Sequence, residues 1–185
     1  SISTVGIKGG IEKFLTEFPQ VNLAISLHFA DNEMRSKFMP ANKAYNLEDI
    51  KKDIQEYFKK SKRKIFMEYI VFEGLNDRLD DAEKLIEYLR SIGNSYLLHV
   101  NLISYNFVSH FERRVNNFGI SKISAHLNRS GSFAEAAQDD IIFKSSSKNK
   151  IERFKDFLLQ NKINATIRKS LGQDIQGACG QLAGK

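Results

Sequence analysis

Short apolar runs that read as strands alternate five times with apolar residues at helical spacing, and this alternation restricts the chain to few folds. Residues 1 to 5 alternate polar and apolar up to Gly6, then Ile11, Phe14, Leu15 and Phe18 trace a helix that stops near Pro19. Residues 21–27 form the next strand, leading to His28. Residues 29–46 are polar and loop-like, helical in part from Asn32 to Phe38, with Pro40 as a breaker. Leu47, Ile50, Ile54, Tyr57 and Phe58 lie on one side of a helix whose outer face is heavily charged. A strand over 65–71 follows, then a turn over 73–76. Asp77 is placed to cap a helix with the stripe Leu79, Ala82, Leu85, Ile86 and Leu89, closed by Gly93. Residues 96–103 make the fourth strand. After a polar stretch from 107 to about 144, Ile151, Phe154, Phe157 and Leu158 mark a last helix before the strand at 164–168.

Parallel strands need crossover connections, usually helices, so this order predicts an α/β fold: a parallel sheet or part of a β/α barrel. Such folds take their ligands at the carboxyl ends of the strands. The polar residues just past those ends are therefore the candidates: Ser3 and Thr4, Ser26 and His28, Glu68, Asn106 and Cys179.

Each candidate has a plain reading beside the functional one. Cys179 sits among Gly177, Ala178 and Gly180, where a backbone without bulk lets a ligand approach; a lone cysteine is nevertheless more often a small buried hydrophobe than a nucleophile. The Ser26-Leu27-His28 segment offers a hydroxyl and loop amides to a nucleoside or carboxylate, or is simply a strand-end turn with a half-exposed histidine. Asn106 offers an amide to a ligand or satisfies local backbone. Glu68 lies in an apolar strand, where a carboxylate needs a partner, so pairing with a basic side chain is expected. The clusters at Lys51, Lys52 and Lys59 to Lys64 read as solvated helix and loop charge.

Composition excludes several classes. With 185 residues, 42% hydrophobic and 27% charged, the chain is of a size for one domain with a real core. It has no apolar run long enough for a transmembrane helix, which needs about eighteen residues. One cysteine makes no internal disulfide and by itself no zinc or iron–sulfur site. The single cysteine, with no disulfide to form, makes a reducing cytoplasm the expected location. The net charge of +6 is compatible with a polyanionic partner such as RNA. No Walker loop, GxGxxG, HExxH or CxxC occurs, and the four histidines show no pairing pattern with Cys179.

Taken together and in order, Ser3-Thr4-Val5-Gly6, the run from Ala24 to His28, the run from Arg35 to Pro40, the run from His99 to Asn106 and the run from Asp174 to Leu182 resemble the RlmN/Cfr family of radical S-adenosylmethionine (SAM) enzymes, which methylate an adenosine of large-subunit ribosomal RNA. The resemblance covers the chain except residues 107 to about 142, an apparent insertion. It implies the C-terminal portion of a radical SAM partial β/α barrel. It implies that Ser3, Ser26, Leu27, His28 and Asn106 contact SAM. It implies that Cys179 takes a methyl group from one SAM, and that a second SAM, cleaved reductively at a 4Fe–4S cluster, generates the radical that activates that methyl. A carbon radical suits the electrophilic amidine carbons of adenine, at which polar methyl transfer is hard.

The cluster cysteines, a glycine–glutamate SAM segment and a second catalytic cysteine are missing from this sequence and are expected before Ser1, in an N-terminal half. The chain alone is therefore expected to bind no cluster and to be inactive. Phe107 follows Asn106 where the family usually has proline. The implied partners are 23S ribosomal RNA and, as a second substrate, tRNA, for a monomer with no membrane association. The run from His99 to Ile103 and Arg35-Ser36-Lys37 lean towards the Cfr-like branch, which modifies carbon 8 and confers antibiotic resistance, rather than carbon 2. The rival reading is a non-catalytic RNA-binding or degenerate barrel domain.

Overall fold

A computed structural model describes residues 1–105 and 143–168. Asn106, the insertion at 107–142 and Cys179 lie outside the described residues. The strands are β1 (Ile2–Thr4), β2 (Leu23–Ser26), β3 (Ile65–Val71), β4 (Leu98–Ser104) and β5 (Asn164–Arg168). All pair in parallel and stand in sequence order, β1-β2-β3-β4-β5. In a sheet of this order every crossover steps the same way. Right-handed crossovers then put the connecting helices on one face, which is the construction of a barrel segment rather than of a doubly wound sheet. The expected α/β architecture is the one observed.

The helices are α1 (Gly10–Glu17), α2 (Asn32–Phe38), α3 (Ala41–Ala44), α4 (Leu47–Lys60), α5 (Leu79–Ile92) and α6 (Lys148–Gln160). Their buried stripes meet one side of the sheet: Ile11 and Phe14 of α1, Ile50 and Ile54 of α4, Leu85 and Leu89 of α5, and Phe154 and Leu158 of α6 join Ile25, Met67, Val100 and Ala165 in one core. None of the helices among the described residues is long and apolar enough to cross a membrane.

Local chemistry explains the boundaries. Asn46 caps α4 by accepting from the amides of Glu48 and Asp49, while the Asp49 carboxylate accepts from the Asn46 amide. Pro40, with φ −53°, separates α2 from the short α3 and opens it, as its fixed φ favours. Gly6 has φ 95°, and a Cβ there would meet Ile50 Cδ1 at 2.8 Å, so the turn after β1 needs glycine on both counts.

Three details differ from the pattern. Arg78, not Asp77, is the N-cap of α5, and the Asp81 carboxylate accepts from its amide. Leu79 is largely exposed, because the buried stripe of α5 begins at Ala82. β4 starts at Leu98 because residues Ser95–Leu97 form a 3₁₀ turn.

Asp77 instead ties the return of the chain to the sheet. Its carboxylate accepts from the Gly74 amide at 3.0 Å, from Ser146 Oγ at 2.7 Å and from Lys150 Nζ at 3.1 Å. Burial alone would raise its pKa; the hydrogen bonds from Ser146, Lys150 and Gly74 outweigh that and hold it below the usual value. Tyr105 and Phe143, which flank the insertion, both pack on Phe72, with ring centroids 5.0 and 4.9 Å away. The chain therefore leaves and rejoins the fold at one place, just past the carboxyl end of β3.

Candidate functional site

Parallel register places paired residues on the same face of the sheet, and strand period two gives each strand two faces. One face of β3 and β4, carrying Ile65, Met67, Tyr69, Val71, Leu98, Val100 and Leu102, is sealed by the helices. The opposite face carries Phe66, Glu68 and Ile70 on β3, paired with His99, Asn101 and Ile103 on β4. These in turn pair with Asn164, Thr166 and Arg168 on β5, while Ser26 pairs with Glu68. At one end of this face Ile70 packs against the cluster of Phe29, Phe72 and Phe38 of α2, and the polar side chains bond to one another. Thr166 Oγ1 donates to Asn101 Oδ1 at 3.2 Å and lies 3.0 Å from His99 Nε2; Asn101 Nδ2 donates to Glu68 Oε1 at 2.9 Å.

Glu68 does find a basic neighbour: Arg168 Nη1 stands 3.7 Å from Oε2. That is an ion pair without a hydrogen bond, and Oε2 is enclosed with no donor. His99 is held below its usual pKa, mainly by burial and also by Lys64, with Glu68 opposing.

At the carboxyl ends of β1 and β2, Ser3 Oγ and Ser26 Oγ lie 3.1 Å apart. Two strand ends thus bring two of the expected site residues into one hydroxyl pair. Leu27 and His28 differ from the sequence reading. Their amides both donate to the Glu68 carbonyl, at 3.0 and 3.1 Å, so the loop amides are not free for a ligand. The Leu27 side chain is fully buried. His28 is not half exposed but 8% exposed, with φ 57°, the left-handed region that few residues other than glycine occupy.

The segment is held on both sides. The Ile70 amide donates to His28 Nδ1 at 3.2 Å, and Asn76 Nδ2 donates to the His28 carbonyl at 2.9 Å and to the Ile70 carbonyl at 2.8 Å. Burial, with a smaller effect from Arg35, lowers the His28 pKa to about 4. The ring is therefore neutral near pH 7, and because Nδ1 accepts, the proton is on Nε2.

Arg35 holds the other side. It is completely buried and donates to the Leu27 carbonyl at 3.1 Å, the Ser26 carbonyl at 3.2 Å, the Val5 carbonyl at 2.7 Å and Asn42 Oδ1 at 2.6 Å. Burial lowers its pKa to about 10, which still leaves it charged at neutral pH. One guanidinium thus fixes the ends of β1 and β2 together and sets the spacing of Ser3 and Ser26. Thr4, the remaining strand-end candidate, accepts from the Gly6 amide and shapes the turn.

Sequence reasoning missed Arg35, Asn76, Asn101, Thr166 and His99 as parts of the site. For the last three a signal existed: polar residues at alternate positions of a strand mark a face turned away from the apolar core. The basic clusters at Lys51 and at Lys59 to Lys64 belong elsewhere. Lys51 and Lys59 pair with Glu48 and Glu56 within α4, and the second cluster precedes β3, at the amino ends of the strands. Among the described residues no group of His, Cys, Asp and Glu side chains is arranged to hold a metal ion.

No family model matches the chain. A probable dual-specificity RNA methyltransferase RlmN of Caldanaerobacter subterraneus subsp. tengcongensis is 36% identical over 185 residues, covering 100% of this chain and 44% of the relative. A ribosomal RNA large subunit methyltransferase Cfr of Lachnoclostridium phytofermentans is 34% identical over 186 residues, covering 100% of this chain and 46% of the relative. The chain thus spans less than half the length of these curated relatives. A crystal structure of a radical SAM methyltransferase from Sphaerobacter thermophilus superposes with a TM-score of 0.73 at 31% identity, over 97% of this chain and 42% of that one. A domain of a pyruvate-formate lyase-activating enzyme from Bacteroides vulgatus shares the fold alone, with a TM-score of 0.55 at 15% identity, over 88% of this chain and 75% of that one. Matched over its full length at this identity, the chain belongs to the RlmN/Cfr family of RNA methyltransferases and corresponds to their C-terminal portion.

Proposed function

We propose that this chain is the C-terminal part, residues 1–185, of a radical SAM enzyme that methylates an adenosine of 23S ribosomal RNA, at carbon 2 or carbon 8. The observation that carries the reading is the whole-length similarity to proteins named as RNA methyltransferases. The paired hydroxyls of Ser3 and Ser26 support it, since they sit where a parallel β/α fold takes its ligand. The donor set suits a nucleoside such as that of SAM: two hydroxyls, the Nε2–H of His28 and, outside the described residues, the amide of Asn106. SAM would supply the methyl group and, with a 4Fe–4S cluster held by residues other than those described, the radical chemistry.

Cys179, outside the described residues, is the residue that would receive the methyl group and carry it to the base. In this reading Arg35 and Asn76 do not touch the ligand. They fix the backbone that presents Ser26 and His28. tRNA as a second substrate, a monomeric state, a cytoplasmic location and an antibiotic-resistance role through carbon 8 belong to the same proposal.

Peptide mass spectrometry on Cys179 in the full-length protein, made with iron and sulfur supply, tests it. One added methyl on the thiol is the expected result, with rRNA nucleoside analysis assigning the carbon. Loss of methylation in Cys179→Ala with RNA binding retained is the matching genetic result. An unmodified thiol in protein that holds its cluster and SAM overturns the reading and favours a non-catalytic RNA-binding domain.

A further inference from the structure

Among the described residues, Glu68 is the buried polar side chain that its own neighbours leave incomplete. It is 9% exposed; Oε1 accepts from Asn101, while Oε2 is enclosed and has no donor. Folding does not require a carboxylate here. Phe66 and Ile70, two positions either way on the same face, show that apolar side chains fit this strand. An enclosed acceptor without a donor is costly, and where a fold retains one, the missing donor is sought in a ligand.

The kind of donor follows from the charges around it. Arg168 already supplies a cation at 3.7 Å, and His99 is kept towards its neutral form. The missing partner is therefore an uncharged N–H or O–H group. Its place follows from the register: Glu68 pairs with Ser26 on the adjacent strand, about 4.8 Å away, and Ser26 touches Ser3. On the same face Phe66 and Ile70 are only half-buried and offer apolar contact. Hydroxyls, a carboxylate acceptor and apolar contact surface together are what a nucleoside uses, through its ribose hydroxyls, ring amine and flat base.

We propose that Glu68 is an acceptor that seats an adenosine unit on the open face of the sheet, with Asn101 orienting its carboxylate. The ligand class rests on the function proposed above, in which both SAM and the target RNA carry adenosine. Arg168, more than half exposed, swings aside at small conformational cost to admit the donor.

Glu68→Gln in the full-length protein tests this. The variant keeps the side-chain shape and an oxygen for Asn101, and places an amide where Oε2 was. S-adenosylhomocysteine, by titration calorimetry, and an rRNA hairpin containing the target adenosine, by fluorescence anisotropy, are the two probes. The expected result is a roughly ten- to hundredfold rise in Kd for one probe, with the other unchanged and the melting temperature close to wild type. The probe affected tells which adenosine Glu68 holds.

Asn101→Ala should weaken binding of the same probe by less. If Glu68→Gln fails to fold, Glu68→Asp, which withdraws the carboxylate by one methylene, should give the same probe-selective loss. Both Kd values within twofold of wild type overturn the assignment of Glu68 while leaving the function intact. Wild-type protein that binds neither probe overturns the function, and the assignment with it.

Discussion

The two faces of β3 and β4 are made by the same fourteen residues, yet they obey different rules. On the covered face, Ile65, Met67, Val71, Leu98, Val100 and Leu102 are 0% exposed and belong to the apolar core shared with the helices. On the open face, one strand step away, Glu68, His99 and Asn101 form a hydrogen-bonded row with Thr166 that ends in an acceptor without a donor. The apolar core is concentrated on the first face, and the polar groups of the candidate site on the second. The strand end at Ser26-Leu27-His28 joins them: Leu27 is in the core, His28 is buried against the Ile70 amide, and Ser26 meets Ser3 at the strand ends.

This division can be broken most directly at Val100. Val100→Asp puts a charge into the covered face with nothing to pair it, and should cost more than about 4 kcal/mol. Loss of the cooperative denaturation transition is the expected observation, and a folded variant would mean that the covered face is not the core. Arg35→Met is the next largest. It removes the donor to three backbone carbonyls and to Asn42, at a cost of about 2–4 kcal/mol. Chemical denaturation should show that loss, and Arg35→Lys should not restore it, because an ammonium cannot span the same acceptors. Unchanged stability would show that the ends of β1 and β2 hold together without the guanidinium.

The histidine sharpens the comparison through pH. His28 has a folded pKa near 4 against 6.5 when exposed, so the unfolded chain binds the extra proton between those values. Stability therefore falls as pH drops from about 6.5 towards 4, by about 2 kcal/mol at pH 5 relative to neutral pH. Melting curves across this range check it, and His28→Gln should flatten the dependence. Asp77, whose carboxylate is held below its usual pKa, adds a loss at lower pH, as that group is protonated. The smallest effect belongs to the open face: Thr166→Ala, at an exposed position, should change stability by no more than about 0.5 kcal/mol. A large loss in the same denaturation assay would mean that the polar row carries fold stability after all.

The amphipathic helices were legible in the sequence, and so was α2, at Asn32 to Phe38, inside a stretch that otherwise reads as loop. The stripe Leu47, Ile50, Ile54, Tyr57 and Phe58 is the buried stripe of α4, because helical periodicity is a local property that tertiary contacts rarely overturn. The cap of α5 was misread because Asp77 suits an N-cap by residue type, whereas Ser146 and Lys150, some seventy positions away, engage its carboxylate instead. The site was only partly legible. Ser3, Ser26 and His28 stand at strand ends, which sequence can mark, whereas the buried state of His28 is imposed by Ile70 and Asn76.

By itself the sequence determined the β/α alternation, hence parallel pairing, and the motifs that place the chain in its family. Both are carried by residue order and spacing. Only the tertiary structure decided that Arg35 ties two strand ends together, that the amides of Leu27 and His28 are engaged, and that Glu68 keeps an unmet oxygen. Those facts depend on register between strands whose paired residues lie about 20 to 40 positions apart in the sequence. A one-residue slip there would exchange the two faces of a strand and dissolve the polar row.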